Sequence, residues 1–144
     1  MIVIKSGRHP FEVMILAWCL VSGVNSIINY QRAASTVFGQ FPDLFGYILY
    51  GGTVAGSAVT LVGTFWPSLA GPLIERAGLV MLAGLWVLFG GLLTTVGERG
   101  LYWGGFLWGF AAAAIWRSVQ IGREMKRVQA AATLIGSTRQ VEDG

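Results

Sequence analysis

Ala77–Arg117 reads AGLVMLAGLWVLFGGLLTTVGERGLYWGGFLWGFAAAAIWR, and its only charged residues before the closing arginine are Glu98 and Arg99. Two uncharged stretches, Ala77–Val96 and Leu101–Trp116, therefore flank the short turn Gly97-Glu98-Arg99-Gly100. A helix needs about 20 mostly apolar residues to cross a hydrocarbon core of about 30 Å. A turn this tight leaves the two stretches one arrangement, an antiparallel helical hairpin in a bilayer.

Two more such stretches lie upstream. Val13–Tyr30 follows Pro10, which suits the first turn of a helix, and Leu44–Trp66 is closed by Pro67. The expected fold is all-α: an integral membrane protein with four transmembrane helices in a compact antiparallel bundle, the fourth extended into a cytoplasmic amphipathic helix. The segments are a cytoplasmic N-terminal piece (1–12), a membrane domain (13–116, with spans near 13–30, 44–66, 77–96 and 101–116), a basic amphipathic helix (117–136) and a disordered tail (137–144). Tyr30, Trp66, Tyr102, Trp103 and Trp116 fall near span boundaries, as interfacial anchoring produces. Trp18, Trp86 and Trp108 lie deeper and read as packing residues.

Composition agrees. The chain is 54% hydrophobic and only 12% charged, against about 25% charged in a soluble domain. A single cysteine, Cys19, excludes an internal disulfide and any CxxC knuckle, and His9 is the only histidine. There is no Ser/His/Asp set, Walker loop or HExxH, so no enzyme, cofactor or metal site is expected. The net charge of +3 sits beside the spans rather than on a basic face, which argues against nucleic acid.

Lys5, Arg8, Arg76, Arg117, Arg123, Lys126, Arg127 and Arg139 flank one side of the spans, and only Arg32 and Arg99 the other. The positive-inside rule then places the chain in the cytoplasmic membrane with both termini cytoplasmic. A cleaved signal peptide would also begin with Lys5 and Arg8 before an apolar run, but no clean small-x-small site follows. No charge is expected inside a span. Glu12 reads as an edge residue, and Glu75–Arg76 and Glu98–Arg99 as edge pairs that set topology.

Two uncharged polar stripes stand out. Ser22, Asn25, Ser26 and Asn29 share one face of the first span; Thr53, Ser57, Thr60 and Thr64 share one face of the second, with Tyr50. They either hydrogen-bond between helices or line a hydrated path. Gly52, Gly56 and Gly63 form a small-residue face on the second span, as Gly105 and Gly109 do, with Ala113, on the fourth. Such rows mark close helix packing, within one chain or between chains. Beyond Trp116, Ile121, Met125, Val128, Ala132 and Ile135 repeat at helical spacing up to Gly136, a candidate cap. Arg117, Arg123, Lys126 and Arg127 are the residues to meet anionic lipid or a partner protein.

The segment Pro72-Leu73-Ile74-Glu75-Arg76-Ala77-Gly78, the Gly-rich hairpin and the run from Ala112 to Ile121 resemble the small multispan membrane proteins of bacteriophages that infect actinobacteria. The likeness covers roughly residues 70 to 127. Some of those proteins are holin-like, and the resemblance implies a protein that oligomerises in the cytoplasmic membrane and permeabilises it for host lysis. The alternative is a non-pore accessory protein, an immunity, exclusion or assembly factor acting through protein contacts. A small transporter ranks third, because no span carries an ionisable residue.

Overall fold

The computed structural model describes residues 10–32, 42–68, 70–95 and 97–142. Lys5, Arg8 and the last two residues of the tail lie outside them, as does most of the first loop. Among the described residues four long helices follow in order: α1 (Pro10–Ile28), α2 (Asp43–Phe65), α3 (Gly71–Thr94) and α4 (Gly97–Glu142). The described regular structure is all helical.

Local chemistry sets the ends. Pro10 and Pro72 occupy first-turn positions, where the missing N–H costs nothing. α2 stops because Pro67 forces Trp66 out of the helical region, to φ −72° and ψ 121°. Between α3 and α4 the chain reverses at Gly97, whose φ of +78° favours glycine. α3 begins at Gly71 rather than near Ala77, so Glu75 and Arg76 lie within the helix and not before it. α4 runs unbroken past Gly136, which does not take the positive φ of a cap, to Glu142. At 1.5 Å per residue this is a helix of about 69 Å.

Each helix packs against its neighbour in sequence: α1 on α2, α2 on α3, α3 on α4. α3 is the centre, burying Leu79, Leu82, Ala83, Trp86, Phe89 and Leu93 between α2 and α4, while Leu16 of α1 joins the same cluster. The outside is apolar on every helix. Trp18 and Ile28, Ile48 and Val62, Val80 and Leu88, and Phe106 and Trp116 are all exposed. In water so wide an apolar surface would aggregate; in a bilayer it is the lipid-facing side. Trp18, expected in the packing, is 72% exposed, because it lies about 140° around α1 from Gly23, the residue that meets α2. Trp86 is buried as expected, and Trp108 is half-exposed with its Nε1–H donating to Val87 O at 3.4 Å.

α1, α2 and α3 are each long and apolar enough to cross a membrane. α4 does not meet that measure. Its uncharged part, Leu101–Trp116, gives roughly 24 Å of helix, is rich in Gly and Trp, and closes on Arg117.

Candidate functional site

The most polar interior feature joins three helices at one end of the molecule. Glu12 lies in the first turn of α1, Glu75 lies one turn into α3, and Arg117 is on α4. Arg117 Nε–H donates to Glu12 Oε1 at 3.2 Å, with Oε2 of the same carboxylate at 3.0 Å, and an Nη2–H donates to Glu75 Oε1 at 3.2 Å. The side chains are 12% (Arg117), 22% (Glu12) and 3% (Glu75) exposed. One guanidinium therefore serves two carboxylates, a formal charge of −1. Glu124 follows two turns after Arg117 on the same face of α4 and adds a third carboxylate to that side.

This differs from the sequence-based expectation at two points. Arg117, expected at the membrane surface or a partner, turns inward. Glu75 and Arg76, read as one edge pair, point apart because adjacent helical residues are about 100° apart. Glu75 is buried and Arg76 exposed. The partners of Arg117 are 105 and 42 residues away in sequence, so no local motif shows them. The available signal was that all three charges lie near span ends on one side of the membrane.

The two polar stripes part company. On α2, Ser57 and Thr60 are fully buried and Thr53 and Thr64 half-buried. Thr60 Oγ1 donates to Gly56 O at 2.7 Å and Thr64 Oγ1 to Thr60 O at 2.9 Å, each satisfied on the preceding turn. Ser57 Oγ is buried with no hydrogen-bond partner among the described residues. Its direction falls between Val54, which meets Gly23 of α1, and Thr60, which meets Gly78 of α3. The α2 stripe is thus enclosed within the bundle.

On α1, Ser22 and Ser26 are half-buried, but Asn25 and Asn29 face outward. Asn29 Nδ2 donates to Asn25 Oδ1 at 3.0 Å and to Asn25 O at 3.2 Å. With Ser26 and Arg32 they line an open groove of about 380 Å³. Nearby, Tyr30 is buried, donates its hydroxyl to Asp43 O at 2.9 Å and stacks on Tyr47 with centroids 4.2 Å apart, which ties the start of α2 to the end of α1.

The glycine rows also divide. A Cβ at Gly52 would meet Leu85 at 2.9 Å, one at Gly56 would meet Leu82 at 2.7 Å, and one at Gly63 would reach the backbone of Ile74 and Glu75, with Glu75 Cα at 2.7 Å. That face carries the α2–α3 contact. Gly105 and Gly109 have nothing within 4 Å, so they take no part in packing within the chain. Their turns of α4 meet α3 through Gly104 instead, whose Cβ would lie 2.6 Å from Gly90 O. Arg123, Lys126 and Arg127 are exposed on α4.

No protein-family model, curated protein or solved structure matches this chain. The likeness to phage membrane proteins rests on the sequence segments alone.

Proposed function

We propose that this multi-pass membrane protein acts by lateral self-association through the outward polar face of α1, as a holin-like protein that permeabilises the cytoplasmic membrane. The observation that carries the reading is the outward position of Asn25 and Asn29 on a helix whose other exposed residues, such as Trp18, Val21 and Ile28, are apolar. A carboxamide facing hydrocarbon is costly. Asn offers both donor and acceptor, so the same face on a second copy satisfies it. In a ring of copies that face could instead border water. Only α1 would contribute the lining, since the α2 stripe is closed inside each copy. The proposed role is non-catalytic.

The reading includes a fourth span. α4 runs antiparallel to α3 in step along its length: Gly104 beside Gly90, Phe110 on Trp86, Arg117 on Glu75, Gly122 beside Arg76. A helix so aligned with a crossing helix crosses with it, its charge at Arg117 neutralised by two carboxylates. With both termini cytoplasmic, a reporter fused after Gly144 gives a cytoplasmic signal.

Induced expression in a bacterial host with a membrane-potential dye tests the function. Wild type depolarises the membrane abruptly, and Asn25→Leu with Asn29→Leu abolishes this while the protein still inserts. On a Cys19→Ala background, Asn25→Cys reacts with a polar maleimide during depolarisation and Ser57→Cys does not, because a thiol reacts only where water can ionise it. Healthy growth without depolarisation refutes permeabilisation. The accessory-protein reading then leads, supported by the reach of α4 beyond the bundle, where a partner could bind.

A further inference from the structure

We propose that Arg76 and Lys126 form a headgroup site for an anionic phospholipid on the outer side of the α3–α4 pair. A Cβ added at Gly122 would touch the Arg76 guanidinium at 3.5 Å, so that group lies across α4 where no side chain stands in its way. Lys126 is one turn beyond Gly122, about 40° around the helix and on the same side. Both are exposed, and neither pairs with a carboxylate among the described residues.

The charges around α4 are sorted. Glu12, Glu75 and Glu124 gather with Arg117 on one flank, about 140° or more from the direction of Gly122. The other flank keeps Arg76 and Lys126, with Arg123 at its edge, and no competing carboxylate among the described residues. Directly beneath them, toward the centre of the span, Val80 of α3 and Ile115 and Val119 of α4 are exposed apolar residues. The surface thus offers a cationic pair at the level where α3 enters the membrane and an apolar strip below it. A diacyl lipid with an anionic phosphate matches both parts. A zwitterionic lipid matches only the strip, and a free anion only the cations. The inference needs the helices to lie in a bilayer but not the permeabilising role, so each can fail alone.

The test uses the full chain purified in detergent, with phosphatidylglycerol, phosphatidylcholine or inorganic phosphate added, and lipid retention read by native mass spectrometry. Phosphatidylglycerol should be retained in preference to phosphatidylcholine. Arg76→Gln and Lys126→Gln should each weaken its binding about fivefold, and Arg127→Gln, about 140° around α4 from Gly122, should leave it nearly unchanged. Gly122→Leu, which displaces the guanidinium without changing charge, should weaken it as Arg76→Gln does. Arg76→Lys, which keeps the charge, should bind better than Arg76→Gln and serves if the latter does not fold. Equal retention of the two lipids overturns the proposal. So does inorganic phosphate displacing phosphatidylglycerol at millimolar concentration, which marks a free-anion site, and so does an equal loss in Arg127→Gln, which marks diffuse charge attraction.

Discussion

Replacing Arg117 by Met removes the one positive charge that faces two carboxylates. Glu75, 3% exposed, is then left inside the bundle with no counter-charge, and Glu12 loses its bond as well. Breaking a buried ion pair from one side costs about 3–5 kcal/mol, because the orphaned charge keeps its desolvation penalty. The count of charges makes a sharper claim. Glu12→Gln leaves a one-to-one pair of Arg117 with Glu75, and Glu12 is also the more exposed carboxylate at 22%. Its loss should cost no more than about 1 kcal/mol, the scale of one partly exposed charged bond. Removing both buried charges, in Glu75→Gln with Arg117→Met, should recover part of the single Arg117→Met loss, since no isolated charge remains. Denaturation of the purified protein in detergent, followed by tryptophan fluorescence, gives the ranking. If Arg117→Met is no less stable than Arg123→Met, or if Glu12→Gln is the most damaging variant, the triad does not hold the helices as argued.

Two further substitutions separate the interior from the lipid face. Gly63→Ala pushes a methyl group into the backbone of α3 at Glu75 and should lower stability by roughly 1–3 kcal/mol, whereas Gly109→Ala meets nothing within 4 Å and should be neutral or gain up to about 1 kcal/mol of helix propensity; equal thermal shifts in detergent would contradict this assignment of faces. Ser57→Ala removes a buried hydroxyl that has no partner among the described residues, so stability should stay level or rise by about 1 kcal/mol, and a marked loss would mean that the hydroxyl is engaged.

The three apolar helices were legible because a bilayer crossing requires an uncharged stretch of span length, which soluble helices rarely carry. The α2 glycine face was legible for a related reason: Gly52, Gly56 and Gly63 repeat in register with a helix. Spacing reports that residues share a face, but not whether anything lies opposite. Gly105 and Gly109 satisfy the same pattern and meet nothing, while Gly104, one residue away, carries the contact. The polar stripes show the same limit. Periodicity grouped each one correctly, yet Ser57 and Thr60 turn inward and Asn25 and Asn29 outward, a choice set by which neighbour each helix packs against. The ion triad was hidden by distance in sequence, and because adjacent charges such as Glu75 and Arg76 diverge by about 100° once they are helical.

The order of packing connects these features. α1 touches the rest of the molecule mainly through α2, at Gly23 against Val54 and Tyr50, and through the bond from Glu12 to Arg117. It is therefore the helix least enclosed by the others, and its exposed face carries the carboxamides of Asn25 and Asn29. Those two properties belong together. A helix buried on all sides has no face left for a second copy, and an exposed helix without polar groups has no preference for a copy over lipid. Glu12 holds the start of α1 against α4, while Gly23 against Val54 and the Tyr30 bond to Asp43 O hold the chain further along, and together these contacts set the direction in which Asn25 and Asn29 face. If α1 turned by about 100°, one residue's step around the helix, those carboxamides would leave the surface or meet the wrong neighbour. The ion triad and the outward carboxamides thus sit toward opposite ends of one helix, α1.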